Sequence, residues 1–202
     1  MIDRSEITGV ILCGGAARRM GGREKTLELA GGVPLVLHVR TRLAPQVSRI
    51  LISANRQIES FAQWGDTVVL DERAGLGPLG GLLSALDRVQ TPYTFCSPGD
   101  APLLSPTLVA RLATALLEAP ADLAIPHDGE RRQPLFMLLR TSLRSSLREF
   151  LQGAGRAVQA WIDMQRSVQL DALSDRESFV NVNADADLVK LNRLLMHAGA
   201  RG

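Results

Sequence analysis

The stretch from Ile7 to Lys25 constrains the fold of this chain more than any other. An apolar run over residues 7–13, rich in β-branched side chains, leads through Gly14 and Gly15 into a segment with four cations, which are Arg18, Arg19, Arg23 and Lys25. A short apolar run that glycines cut off predicts a strand buried on both faces and followed by a loop. Glycines allow close approach of a ligand, and clustered backbone N–H groups and cations bind anions. The stretch therefore predicts a polyphosphate-binding loop.

The loop matches neither of the two commonest phosphate-binding motifs. A P-loop ends in Gly-Lys-Ser or Gly-Lys-Thr, whereas Lys25 and Thr26 follow Glu24 here. The dinucleotide fingerprint G-x-G-x-x-G is also absent. The alternative interpretation is a glycine-rich turn with solvated arginines. The combination of glycines and cations favours an anion site.

Length and composition indicate an ordinary globular protein. The 202 residues fit a single domain, and 46% are hydrophobic and 22% charged. A net charge of +2 is too small for a general nucleic-acid binder. No apolar stretch reaches the roughly 20 residues of a membrane span. The charges of Asp3, Arg4 and Glu6 near the N-terminus are atypical of a signal peptide. We therefore expect a cytoplasmic protein with neither membrane nor nucleic-acid partners.

Short apolar strands alternate with amphipathic helices along the chain. The patterns predict strands at residues 7–13, 49–54, 67–70, 93–96, 123–126, 135–139, near 168 and at 179–182, with helices between most of them. Such alternation predicts an α/β fold, a doubly wound and mostly parallel sheet with helices on both faces. Cys13 and Cys96 fall on predicted strands, so we expect both thiols to be buried and reduced.

Polar residues follow four of the predicted strands. The glycine loop follows the first, Ser53 and Asn55 end the second, Asp71 follows the third and Asp100 the fourth. A single strand-terminal Asp or Asn is commonly a turn former. Because ligands bind beyond the carboxyl ends of parallel strands, the set together predicts a site at this edge.

Asp100 is the strongest candidate for a metal ligand and catalytic residue. Pro98 and Pro102 stiffen the loop around this carboxylate. Mg²⁺ takes one or two carboxylates together with phosphate oxygens and keeps waters otherwise. Asp100, next to a phosphate loop, meets that requirement.

The first motif resembles the signature of nucleotidyltransferases with a Rossmann-like fold. That signature is Leu-Ala-(Gly or Ala)-Gly, then Arg-Met-Gly and Lys. It stands here as Leu12-Cys13-Gly14-Gly15, Arg19-Met20-Gly21-Gly22 and Lys25, with Cys13 in place of alanine. The doubled glycines, the loop Gly77-Pro78-Leu79-Gly80-Gly81 and the sequence Asn181-Val182-Asn183 are similar to the molybdenum cofactor guanylyltransferase family. The resemblance covers about residues 7–192.

The resemblance implies a role for each part of the chain. The half of the chain from about residue 7 to 125 would bind the nucleotide, and the half from about 126 to 196 would bind the acceptor. Arg19 and Lys25 would bind the phosphates, and Asp100 would bind Mg²⁺, with Mn²⁺ as an alternative. The expected nucleotide-binding residues are Leu12, Cys13, Gly14, Gly15, Lys25, Ser53, Asn55, Asp71, Gly77, Pro78, Leu79 and Asp100. The expected acceptor-binding residues are Arg131, Arg132, Asn181 and Asn183.

The activity implied is transfer of GMP from GTP to molybdopterin, with release of pyrophosphate. Implied protein partners are other cofactor-biosynthesis proteins and apo-molybdoenzymes. Two alternatives stay open: a related transferase that uses CTP or a sugar phosphate, and a non-catalytic nucleotide-binding chaperone. Retention of both Lys25 and Asp100 argues against the chaperone, because binding alone does not need both.

Overall fold

The computed structural model describes residues 1–14, 24–71 and 75–199, apart from the side chains of 185 and 194–199. Within these ranges the strands are β1 (Ile7–Leu12), β2 (Leu29–Ala30), β3 (Val33–Pro34), β4 (Arg49–Ser53), β5 (Thr67–Val69), β6 (Tyr93–Pro98), β7 (Leu123–His127), β8 (Leu138–Arg140) and β9 (Ser167–Asp171). The helices are α1 (Leu35–Leu43), α2 (Ile58–Ala62), α3 (Pro78–Leu86), α4 (Leu108–Glu118), α5 (Arg144–Gln152), α6 (Val158–Asp163) and α7 (Asp185–Gly199).

The main sheet has the order β5-β4-β1-β6-β8-β7-β9, and β2 and β3 form a separate hairpin. Strand β8 runs antiparallel to β6 and β7, while the other pairs of the main sheet are parallel. The predicted doubly wound, mostly parallel sheet is confirmed. Strand β1 lies between β4 and β6, so its carboxyl end is at the centre of the sheet edge where strand order reverses.

Two apolar clusters cover the two faces of the sheet. Side chains of β1 alternate between them: Ile7 and Ile11 pack in one cluster, while Val10 and Leu12 pack in the other. The first cluster includes residues of α1 and α4, and the second includes residues of α3, α5 and α6. Every residue of β1 is buried, as expected for a strand covered on both faces.

The prediction of a strand at residues 179–182 is wrong. A 3-10 helix covers Leu173–Phe179, and residues 180–183 form no strand. The Val182 N–H donates to the carbonyl of Asp100 at 2.9 Å, and the Val182 side chain packs with Leu35 and Leu191. The apolar pattern thus reflects packing against a loop and a helix instead of pairing in the sheet.

Both cysteines are free and buried, as predicted. They belong to neighbouring strands, since Cys96 pairs with Val10 and Cys13 directly follows β1, but they lie in different apolar clusters. Burial raises the pKa of Cys96 to about 12 and also raises the pKa of Cys13. Neither group is a thiolate at neutral pH, so we assign both to packing.

None of the helices that the structure describes is long and apolar enough to cross a bilayer.

Candidate active site

Three of the predicted site residues meet at the carboxyl edge of the sheet. The Lys25 ammonium donates to Asp100 Oδ2 at 2.5 Å and to Asn183 Oδ1 at 2.7 Å. The side chains of Lys25 and Asp100 are only 23% and 18% exposed. We call these three residues the catalytic cluster. They come from the glycine loop, the loop after β6 and the segment before α7, so tertiary folding alone brings them together.

The position of Asp100 depends on the glycine before it. The Gly99 N–H donates to the carbonyl of Leu12 at 2.9 Å, which continues the pairing of β6 with β1. A Cβ at Gly99 would lie 2.7 Å from Cys13 Sγ and 3.0 Å from the Thr26 side chain. Only glycine allows the Asp100 loop to approach the end of β1 this closely.

Asp187 fixes the position of Asn183. Its Oδ2 accepts hydrogen bonds from the N–H groups of Asn183 at 2.7 Å and Ala184 at 2.9 Å. These bonds, together with the nearby charge of Lys25, lower the pKa of Asp187. These bonds hold the backbone at Asn183, from which the side-chain amide oxygen reaches Lys25.

A second group of predicted residues forms a network at the ends of β4 and β5. Asp71 Oδ2 accepts from Asn55 Nδ2 at 2.8 Å, Asp71 Oδ1 accepts from Ser53 Oγ at 3.2 Å, and the Asp71 N–H donates to Asn55 Oδ1 at 2.8 Å. We call Ser53, Asn55 and Asp71 the carboxylate network. It holds one carboxylate in a fixed orientation and leaves further lone pairs for a ligand.

Gly81, in the first turns of α3, lies directly against this network. A Cβ there would overlap Ser53 Oγ and lie 3.0 Å from Asp71 Oδ1. An alanine would ordinarily favour the helix by about 1 kcal/mol over glycine. Glycine at position 81 is therefore unfavourable for the helix but leaves room for Ser53 and Asp71.

We expect Gly81→Ala to weaken nucleotide binding by about tenfold without lowering the thermal midpoint, because Ser53 must rotate away from Asp71. Titration with nucleoside triphosphates by calorimetry measures the effect. Ser53→Ala provides the matched comparison, since it removes the overlapping oxygen. The double variant should bind nucleotide as Ser53→Ala does alone, and additive losses would contradict the steric explanation.

The loop before α3 contributes its backbone. Gly77 has φ of +65°, Pro78 opens the helix, and Leu79 is fully buried in the core. Any contact of Leu79 with a nucleotide must therefore use its main chain. The same applies to Cys13, whose side chain is buried, whereas Gly14 lies within reach of the Asn55 amide.

Three of the four predicted acceptor residues, Arg131, Arg132 and Asn181, line a cavity of about 560 Å³, whereas Asn183 contacts Lys25 instead. Its walls come from the segment after β7, from α6 and from the segment before α7, and include Arg131, Arg132, Gln133, Phe136, Gln159, Asp163 and Asn181. Arg132 donates to Asp163 at 2.7 Å across it. Asn181 Oδ1 is buried and has no hydrogen-bond partner within the described ranges. The cavity thus offers the cations of Arg131 and Arg132 to a ligand.

The cavity adjoins the catalytic cluster through residues 181–183. Asn181 lines the cavity, Val182 bonds the backbone of Asp100, and Asn183 contacts Lys25. A ligand in the cavity would therefore have one end close to the catalytic cluster.

The catalytic cluster has the donor set of a hard-cation site. The Asp100 carboxylate and the Asn183 amide oxygen converge on one cation, the Lys25 ammonium. Mg²⁺ prefers such oxygen ligands and takes the remainder from phosphates and water. No group of three or more His, Cys, Asp or Glu side chains able to hold a metal occurs among the described residues. Asp100 and Asn183 therefore fit a metal shared with a polyphosphate.

Gly15 and Arg19 lie outside the described residues. The sequence pointed to Gly81 only as part of the loop at residues 77–81, and it did not single out Asp187, Asp128 or Gln133, the last two of which organise one wall of the cavity. Asp128-Gly129 has the composition of an ordinary turn and gave no signal.

Comparison with known proteins agrees with this geometry. A family model described as "MobA-like NTP transferase domain" matches residues 9–170. Molybdenum cofactor guanylyltransferase from Ralstonia nicotianae is 40% identical, over 95% of this chain and 98% of that protein. The protein of the same name from Shewanella amazonensis is 42% identical, over 94% and 97%.

A solved structure shows the same fold. Molybdopterin-guanine dinucleotide biosynthesis protein A from Archaeoglobus fulgidus superposes with a TM-score of 0.79 at 21% identity, over 94% of this chain and 99% of that one. The fold is the Rossmann-like fold of nucleotidyltransferases.

Proposed function

The chain belongs to the molybdenum cofactor guanylyltransferase family, a branch of the MobA-like nucleotidyltransferases, and from that membership we propose the reaction that its site performs. The protein transfers GMP from GTP to the terminal phosphate of molybdopterin and releases pyrophosphate. Residues 7–125 bind the nucleotide, and residues 126–196 bind the acceptor. The observation that carries the proposal is the convergence of Lys25, Asp100 and Asn183 beside a large cavity lined by arginines.

The reaction needs positioning and charge stabilisation more than a nucleophile from the protein. An oxygen of the acceptor phosphate attacks the α-phosphorus of GTP, the new O–P bond forms, and the bond between the α-phosphorus and the bridging oxygen breaks. The electron pair leaves with pyrophosphate. A phosphate is already anionic near neutral pH, so no strong general base is required. The protein's contribution is alignment and compensation of developing negative charge.

Lys25 supplies the fixed positive charge. Its ammonium already lies where two oxygen ligands converge, so it is directed toward the centre of the site. Arg19, six residues earlier in the chain, is assigned to the leaving pyrophosphate on the basis of the motif. Together these two cations oppose the charge that accumulates as the phosphoryl bond breaks.

Asp100 and Asn183 would hold Mg²⁺, and Mn²⁺ would suit the same oxygen ligands. A bound divalent ion supplies Lewis-acid polarisation of the phosphate oxygens. Asp187 keeps Asn183 in place, and Gly99 keeps Asp100 at the end of β1. The two ligands are thereby fixed by contacts that do not depend on the ion.

The carboxylate network selects the base. Guanine presents two adjacent N–H donors, whereas cytosine presents a ring acceptor at the corresponding place. The Asp71 carboxylate, oriented by Ser53 and Asn55, accepts hydrogen bonds and donates none. Pairing it with cytosine would leave an acceptor facing an acceptor, which favours GTP over CTP.

We expect Asp71→Asn to lower kcat/KM for GTP by about 10- to 100-fold while changing the value for CTP little, because an amide can turn its NH2 group toward the base. Steady-state pyrophosphate release with each nucleotide measures the ratio. An equal loss with both nucleotides would show that Asp71 does not read the base.

The cavity accommodates the acceptor. Its volume of about 560 Å³ is within the usual range of roughly 300–1,000 Å³ for small-molecule sites. Because Asn183 belongs to the catalytic cluster and Asn181 to the cavity, the acceptor phosphate lies near Asn183 and the heterocycle extends past Asn181 toward the arginines.

The test is a panel of nucleotides with the purified protein. Pyrophosphate release is measured with GTP, CTP, ATP and UTP, each with and without molybdopterin. We expect release only with GTP and acceptor together. Release with CTP and a sugar phosphate would favour the other transferase class, and tight GTP binding without release would favour a chaperone.

A further inference from the structure

Asp128 is a buried carboxylate in an otherwise exposed turn beside the cavity. It is only 6% exposed, although its neighbours Gly129, Glu130 and Arg131 are exposed. The turn directly follows β7, and its backbone closes on itself through a bond of 3.1 Å from the Asp128 N–H to the Arg131 carbonyl. A charged group in this position needs hydrogen bonds that offset its desolvation.

Three hydrogen bonds meet that requirement. Asp128 Oδ1 accepts from the N–H groups of Glu130 and Arg131, each at 2.8 Å. Asp128 Oδ2 accepts from Gln133 Nε2 at 2.6 Å. Burial raises the pKa of Asp128, but these bonds and the charge of Arg131 outweigh burial and lower the pKa to about 2. Asp128 is therefore an ionised, acceptor-only group at neutral pH.

This contact decides the orientation of the Gln133 amide. Gln133 is 8% exposed and lines the cavity. Since an ionised carboxylate can only accept, the NH2 group of Gln133 must face Asp128, and its carbonyl oxygen is the amide atom left to the cavity. The cavity would then contain the Gln133 amide oxygen as a hydrogen-bond acceptor.

We infer that Asp128 is a positioning residue that sets the specificity of the acceptor cavity, by holding Gln133 so that its amide oxygen receives an N–H donor of the acceptor's heterocycle. The inference rests on the proposed function in taking the acceptor as the cavity's ligand. A pterin carries an amino group and a ring N–H on one edge, and either group can donate to the Gln133 oxygen. Asp128 also fixes the backbone of Arg131, so the same carboxylate positions a cation at the cavity rim.

Replacement by asparagine separates orientation from folding. In Asp128→Asn the side-chain oxygen can still accept from the two backbone N–H groups, and its new NH2 group faces Gln133. The Gln133 amide must then turn over to present its oxygen, which places its NH2 group toward the cavity. All three hydrogen bonds survive with one of them reversed, so folding should be retained while a donor opposes the donors of the ligand.

A second substitution should restore binding. When Asp128→Asn is combined with Gln133→Glu, one oxygen of the introduced carboxylate accepts from the introduced amide at position 128, and the other oxygen faces the cavity as an acceptor. The net charge is unchanged because one carboxylate is removed and one added. Asp122→Asn is the matched control: Asp122 directly precedes β7, at the opposite end of the strand, and bonds Arg166.

The experiment measures binding of molybdopterin by pterin fluorescence, together with KM for GTP and for acceptor. We expect Asp128→Asn to weaken acceptor binding by tenfold or more, the double variant to recover to within about threefold of wild type, and KM for GTP to stay within about twofold. Asp122→Asn should match wild type. Wild-type acceptor binding in Asp128→Asn, an equal loss in single and double variants, or a parallel loss of GTP binding would overturn the inference. Since binding needs no turnover, absent GMP transfer with the expected binding pattern would refute only the proposed function.

Discussion

Asp100→Asn is expected to lower the rate of pyrophosphate release by about 10²- to 10³-fold, or about 3–4 kcal/mol, by analogy with removal of one charge-stabilising donor elsewhere. The substitution preserves the shape of the side chain and an acceptor for Lys25, but it removes the charge that would hold a divalent ion against the phosphates. Asp100 bonds Val182 through its backbone carbonyl, so the variant keeps that contact. Stability should change by no more than about 1 kcal/mol, as for other partly exposed ion pairs.

The control for this variant is Asp175→Asn. Asp175 forms a similarly shielded ion pair with Arg111, and its side chain is 12% exposed. We expect comparable changes of thermal midpoint in the two variants and loss of turnover only in Asp100→Asn. If turnover of Asp100→Asn stayed near that of wild type, the carboxylate would not be a metal ligand. Parallel losses of activity and stability would make it a turn residue.

Lys25→Gln is expected to lower kcat by about 10²-fold or more, because the amide can still bond Asn183 and Asp100 but carries no charge to oppose that of the transition state. KM for GTP should rise less than kcat falls if the charge acts mainly in the transition state. Single-turnover and steady-state kinetics separate the two parameters.

Lys190→Gln is the matched control for this variant. Lys25 and Lys190 are the two lysines of the chain, and the side chain of Lys190 is exposed on α7. Lys190→Gln makes the same chemical change outside the catalytic cluster and should leave kcat within about twofold. A similar loss of kcat in both variants would indicate a general charge effect instead of a local one. The double variant of Lys25→Gln and Asp100→Asn should lose less than the sum of the single losses, since the two side chains are in contact.

The parallel sheet around β1 could be predicted because the residue pattern of the strand and the order of strands and helices along the chain indicate the same arrangement. Strand β1 has an apolar sequence with no polar face, and the chain alternates strands and helices, so a buried parallel sheet is the arrangement that satisfies both. In a parallel sheet the carboxyl ends of the strands lie at one edge, so the polar residues that follow the strands lie at that edge as well. This is why Ser53, Asn55 and Asp71 could be expected to meet, as they do.

What the sequence could not predict depends on contacts between distant parts of the chain. Residues 179–182 alternate like a strand, but Val182 bonds the Asp100 loop and packs under α7 instead. Asp128 looks like a turn residue, and its burial and its contact with Gln133 follow from the return of the chain toward β8. Gly81 belongs to a loop that the resemblance pointed to, but the overlap of a side chain there with Ser53 is visible only in the structure.

The central claim is that this chain transfers the α-phosphate of GTP, as part of GMP, to an acceptor phosphate. Following a radioactive label at the α-phosphate tests this claim most directly. The wild-type protein is incubated with Mg²⁺, molybdopterin and GTP labelled with ³²P at either the α or the γ position. The account predicts that the α label moves to the pterin and the γ label appears in pyrophosphate, both only when acceptor is present. Formation of labelled GMP or GDP with an unlabelled pterin, at the same rate with or without acceptor, would contradict it.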